Sequence, residues 1–239
     1  MGTSTGYGLP TTGNWPSVKG DVTALGQSGI ASIPRISQVM NGYLHAHGGA
    51  VAAAQQAPTA SRTGAKLGGL FAGIGANGFT QTLQDIGLSD LVGKSASEVM
   101  RGLIDYLIEP GSLLDEALVR EAFQDYRDEV IGQCDTYEEL DAILSRLVRM
   151  DGVGDNIKQF FGYFIFRKFR RDFKERLMQV ISSVRASKQL LRDIKTYIFD
   201  RLKALTHQRD YDEISWRGHE GVQIAENILA STWRVFGEA

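Results

Sequence analysis

From Ile157 onward, apolar residues recur every three or four positions: Phe161, Ile165, Phe169, Phe173, Leu177, Ile181 and Val184. A stripe of that period lies along one face of an α-helix, whereas strand side chains alternate between two faces. Leu114, Leu118, Ala122, Tyr126 and Val130 repeat the pattern upstream, and Leu191, Ile194, Ile198 and Leu205 repeat it downstream. A last helix is expected over roughly Gly221 to Val235. Period-2 alternation with turn dipeptides is missing from the sequence, so the expected class is all-α.

Local punctuation supports this reading. Ser95 followed by Glu98 spells a capping box, and Val99, Leu103, Tyr106 and Leu107 then share one helical face. Glu109-Pro110-Gly111 ends that helix, and Ser112 with Asp115 opens the next. Thr136 with Glu139 predicts a short helix to about Met150. The turn Asp151-Gly152-Val153-Gly154 and an N-cap at Asp155 are expected to follow.

Composition divides the chain near residue 95. Residues 1–97 hold 18 of the 27 glycines and only eight charged side chains, so helices there must pack through small residues. Residues 1–30 read as an extended, flexible N-terminal tail rich in Gly, Thr, Ser and Pro. Residues 31–94 read as a Gly/Ala-rich helical segment, with helix patterns over Ile36–Leu44 and Ser61–Ile74, and residues 95–239 as a charged α-helical domain. Residues 98–157 carry 15 acidic and 5 basic side chains, a net of −10. Residues 158–203 carry 13 basic and 4 acidic ones, a net of +9. The overall charge of −2 therefore hides two opposite fields.

Several function classes find little support. No apolar run reaches the roughly 20 residues of a membrane helix. The opening residues lack the basic and apolar regions of a secretory signal, and a single cysteine, Cys134, fits a reducing compartment, so a cytoplasmic protein is expected. Gly73-Ile74-Gly75-Ala76-Asn77-Gly78 has the glycine spacing of a dinucleotide loop, but a helix pattern precedes it where a strand is required. It reads instead as a helix-packing site and C-cap. His45 and His47 point to different helical faces with no third ligand nearby, so no metal site is expected. His207 and His219 flank Tyr211-Asp212-Glu213 without a nucleophile motif, and Cys134 sits in an acidic setting that disfavours its thiolate. An enzyme is not expected, nor any cofactor of its own.

The segment Arg167 to Arg176 interleaves six basic residues with Phe169 and Phe173. The phenylalanines continue the buried stripe, whereas Arg167, Arg170, Arg171 and Lys174 fall outside it. These four are expected to face water, nucleic-acid phosphates, the acidic helices of residues 98–157 or an acidic partner surface.

The opening Met1-Gly2-Thr3-Ser4-Thr5-Gly6-Tyr7-Gly8-Leu9-Pro10, with Gly13-Asn14-Trp15-Pro16, resembles the QatB component of the Qat bacterial anti-phage systems. Members of that family tend to begin Met-Gly-Thr-Ser. The stretches Ala65-Lys66-Leu67-Gly68-Gly69-Leu70, Gly87 to Lys94 and Pro110 to Ala117 look like the same family. The resemblance implies a small operon with an ATPase, a QueC-like 7-deazaguanine ligase and a TatD-like nuclease. It also implies that the N-terminal glycine is the amine the ligase modifies, leaving a 7-deazaguanine adduct on Gly2.

The residues suit that role. A small residue at position 2 permits removal of Met1, and an α-amine with a pKa of about 8 is partly neutral at cellular pH. Thr3, Ser4 and Thr5 can thread as an extended strand, and Tyr7, Leu9 and Trp15 are the apolar anchors expected to sit in partner pockets. The expected function is a non-catalytic defence subunit that presents this tail to a QueC-like partner. The alternative is a nucleic-acid-binding module using residues 158–203.

Overall fold

The computed structural model describes residues 10, 13–28, 31–109, 113–181, 183–205, 211 and 214–237. Every regular element among them is helical. In chain order these are α1 (Trp15–Ser28), α2 (Ile33–Ala46), α3 (Ala50–Gln55), α4 (Pro58–Asn77), α5 (Phe79–Asp85) and α6 (Ala96–Leu107). Then come α7 (Leu113–Tyr126), α8 (Tyr137–Val180), α9 (Val184–Lys203) and α10 (His219–Arg234). A 3-10 turn lies at Ser89–Leu91 and a π-helical turn at Arg127–Ile131.

The chain forms two compact units, neither of them contiguous in sequence. The first draws on Met1–Gln56, Ile165–Leu205 and Ala230–Ala239, and the second on Ala57–Phe164 and Thr206–Leu229. The composition boundary near residue 95 corresponds to neither. Composition reports local chemistry, whereas these units are set by which apolar faces bury together.

In the first unit, α1 buries Val18, Val22 and Leu25 at helical spacing, and α2 buries Ile36, Val39, Met40, Tyr43 and Leu44. The helix α1 occupies residues that composition assigns to an extended tail. Its stability comes from burial: Trp15 packs on Phe173 with ring centroids 5.0 Å apart, and Gly26 admits Val180 where a Cβ would lie 2.6 Å from its Cγ2. Phe169, Phe173, Trp233 and Phe236 complete an aromatic core around Tyr43, each essentially solvent-free.

In the second unit, both capping boxes form as the sequence spells them. Ser95 Oγ accepts from Glu98 N and the Glu98 carboxylate from Ser95 N; Thr136 and Glu139 do the same. The expected turn after Met150 is reduced to a single break, because α8 runs on to Val180 with non-helical backbone at Gly152 (φ 70°). The buried Asn156 spans the break, donating from Nδ2 to Gly152 O at 2.7 Å and Leu147 O at 3.2 Å. Its Oδ1 accepts from the Tyr126 hydroxyl at 2.8 Å. Two carbonyls at the break, those of Leu147 and Gly152, are satisfied in this way.

Candidate functional site

The second unit carries a cleft of about 840 Å³ along α4. Its floor is small because α4 presents Ala65, Gly69, Ala72, Gly73 and Ala76 to it. At one end Lys66 Nζ donates to Tyr106 O at 2.7 Å, meets Glu109 Oε1 at 2.9 Å and lies 4.9 Å from the Tyr106 ring centroid. Arg62 Nε stands 3.5 Å from the same carboxylate. Burial and the Glu109 charge raise the Tyr106 pKa against the opposing pull of Arg217, so its phenol stays protonated.

The far wall is the segment before α10. Trp216 donates to Tyr211 O and lies flat against α4, where a Cβ on Gly68 would come within 2.5 Å of the indole. Arg217 donates to Asp85 O at 3.3 Å, and His219 lines the cleft from an exposed position. Arg62 and Lys66 meet at the one Glu109 carboxylate, and Arg217 ties the far wall to a backbone carbonyl.

The glycine motif ends α4. Its helix runs to Asn77, Gly78 follows with φ 80°, and Gly73 sits where a Cβ would be 2.7 Å from Thr82. These glycines serve helix packing and a helix C-terminus, and no strand precedes them. Cys134 is half-buried, and its thiol pKa is pushed up by burial and by Glu139 and Asp135. His207 lies outside the described residues.

In the first unit the Arg167–Lys174 face divides. Arg170 and Lys174 are exposed, whereas Arg167 and Arg171 are half-buried. Arg171 Nε donates to Asp172 Oδ1 at 3.2 Å, and Lys168 Nζ lies 3.6 Å from Oδ2, so both cations serve one enclosed carboxylate whose side chain is only 2 % exposed. Tyr43 donates to that carboxylate at 2.6 Å. Phe169 and Phe173 are fully buried and offer no stacking surface.

His47, at the end of α2, is buried, a placement that its spacing from His45 did not reveal. Gln56 Nε2 donates to His47 O at 3.1 Å, which turns Oε1 toward Nδ1 at 3.0 Å and assigns the proton to Nδ1. Burial, together with Lys168, lowers the imidazole pKa to about 4. Its Nε2 lies 4.0 Å from Asp172 Oδ2, beyond hydrogen-bonding distance. The glycines Gly48 and Gly49 that follow were the only local sign of a special helix end. Among the described residues, no group of three or more metal-binding side chains is present.

Of the expected tail residues, Gly2, Thr3, Ser4, Tyr7 and Leu9 lie outside the described residues. Trp15 is half-buried beside Tyr43 and Phe173 of its own unit. It is enclosed because it opens α1 on the aromatic core. No helix among the described residues is long and apolar enough to cross a membrane.

Comparison with known families matches residues 48–236 to one described as Qat anti-phage system associated protein QatB. No curated protein and no solved structure matches the chain. The match covers well over half of the sequence, and the chain belongs to the QatB family, whose members are components of an anti-phage defence system.

Proposed function

We propose that this QatB-family chain serves its defence system as a non-catalytic subunit that presents the segment beginning at Gly2 to a QueC-like 7-deazaguanine ligase. The observation that carries the reading is the family match, taken with the Met1-Gly2-Thr3-Ser4 opening. Ahead of the buried Pro10 stand nine residues, whose maximum reach is roughly 30 Å, enough to carry an amine toward a partner's active site. There the Gly2 nitrogen attacks an acyl carbon that the ligase has activated. An amide bond forms, the activating group departs with the carboxylate oxygen, and the amine loses a proton. Glycine has no Cβ, which lets the amine approach to reacting distance in a narrow site. An ATPase of the same operon is a further partner in this reading.

Intact mass of the chain purified from its complete operon tests it. The expected result is loss of Met1 and a mass increase that maps to Gly2. Gly2→Leu should retain Met1, show no adduct and abolish phage protection while the helical body stays folded. Full protection by Gly2→Leu, with a mass pattern otherwise like the wild type, overturns the reading.

One observation favours a second reading as a nucleic-acid-binding module: Arg170 and Lys174 are exposed one helical turn apart in the basic 158–203 region. Phosphate contacts of that kind give affinity that falls steeply with salt. Replacing Arg167, Arg170, Arg171 and Lys174 by Gln should then abolish binding; no binding at low salt removes this reading.

A further inference from the structure

The cleft along α4 is lined by polar groups that its own walls leave unused. Ser61, near the start of α4, is only 1 % exposed and lines the cleft. A helical hydroxyl ordinarily returns to the carbonyl one turn back, as Thr82 does to Gly78 O at 2.7 Å. Ser61 Oγ does not, and it has no hydrogen-bond partner among the described residues. A buried hydroxyl in that position costs stability, and a ligand that bonds it removes the cost.

Glu226 is the second unused group. On α4, a Cβ at Gly64 would lie 3.4 Å from the Ala225 Cβ, so α10 crosses α4 at this point. Glu226, the next residue, lines the cleft half-buried. Ser61 and Glu226 therefore flank one crossing. Among the described residues the Glu226 carboxylate meets no cation, whereas Glu109 takes both Arg62 and Lys66 and Asp85 accepts from Gln81. Arg217, the cation of the cleft that no carboxylate holds, is exposed and screened by solvent.

Between these groups the lining is apolar. The small side chains of the α4 floor leave room against the helix, and Ile86, Ile214 and Val222 add wall. A volume of about 840 Å³ lies in the range of small-molecule sites.

We propose that this cleft binds a small organic amine, its ammonium paired with Glu226 and bonded to the Ser61 hydroxyl, its apolar body laid on the α4 floor. The unpaired carboxylate selects a cation, and the ammonium has donors enough for both oxygens. The apolar lining selects a hydrocarbon or ring body over a bare inorganic ion.

Calorimetric titration of the full-length chain with phenethylamine, phenethyl alcohol and hydrocinnamate tests this, because the three share a body and differ in charge. Phenethylamine should bind at least about tenfold more tightly than the other two, the worth of one charge-assisted hydrogen bond. Glu226→Gln should lower its affinity to that of the alcohol, with circular dichroism unchanged because the carboxylate has no partner to lose. Ser61→Ala should weaken binding severalfold and leave the Tm the same or higher, whereas a merely structural serine would lower the Tm and leave binding alone. Equal binding of the three compounds overturns the proposal, as does unchanged affinity in Glu226→Gln or no binding at millimolar phenethylamine. Tighter binding of Nα-acetyl-lysine amide than of phenethylamine assigns the carboxylate to a lysine of a partner protein and overturns the small-molecule site.

Discussion

The Tyr43 hydroxyl donates to the Asp172 carboxylate at 2.6 Å, linking α2 to the end of α8 across 129 positions of sequence. That carboxylate also neutralises Arg171 and Lys168, the latter only 6 % exposed. The burial of Tyr43 and the Asp172 charge push the phenol pKa well up, so it remains a donor at any physiological pH.

Removing the Asp172 charge should therefore cost far more than removing any cation on the outer face. Asp172→Asn removes the buried carboxylate that Lys168, Arg171 and Tyr43 all meet, and about 3 kcal/mol of stability should be lost in urea unfolding. Lys174→Gln, at an exposed position, should change stability by less than about 0.5 kcal/mol.

His47 makes the fold acid-sensitive. Its pKa is about 4 when folded against an ordinary 6.5, so the unfolded chain takes up the proton first as pH falls. Stability is unaffected by this group above about pH 6.5. It declines between 6.5 and 4, by about 3 kcal/mol in all, as the shift of 6.5 to about 4 implies. Unfolding followed from pH 7 to 4 should show this slope, and His47→Gln should flatten it.

Gly68→Ala places a methyl group against the Trp216 ring, which packs in contact with the backbone there. A loss of about 1–3 kcal/mol is expected, with a change in tryptophan emission. The control is Gly20→Ala in α1, where a Cβ meets nothing within 4 Å; a helix there should gain a few tenths of a kcal/mol, or about 0.5.

Asn156 offers a further test. Asn156→Leu removes both donors to the Gly152 break and leaves the Tyr126 hydroxyl buried without its acceptor. About 2–4 kcal/mol should be lost, and amide exchange around Leu147 and Gly152 should accelerate. Exchange that stays as slow as in the wild type would show that the break is held by packing alone.

What was legible in the sequence was local. Ser95 with Glu98 and Thr136 with Glu139 form the boxes their spacing spells, since every atom involved lies within one helical turn. The stripe from Phe161 to Leu177 is buried as its period requires. The helix α1 escaped notice because its glycine- and threonine-containing sequence has weak intrinsic preference. Its stabilising partners, such as Phe173 and Val180, lie far along the chain. The pairing of His47 with Gln56 beside Asp172 escaped for the same reason: no local spacing records which distant carboxylate shares a core with an imidazole. Residue type alone does not separate Arg171, which turns toward a buried anion, from its neighbour Arg170, which faces solvent.

The discontinuity of the first unit sets an order on its birth. Asn41 donates to Phe236 O, and Arg201 to Val235 O, so α2 and α9 are tied to residues translated after them, in the case of Asn41 by 195 positions. While the ribosome is still extending the chain, α1 and α2 are already in the cell, but Trp233 and Phe236, which fill the space beside Tyr43, do not yet exist. Until Trp233 is made, the side of Tyr43 that it covers stays open, although Phe169 and Phe173 can already pack against that ring. During that interval the nascent protein is a natural client for chaperones, and any pause in synthesis before residue 233 prolongs its exposure.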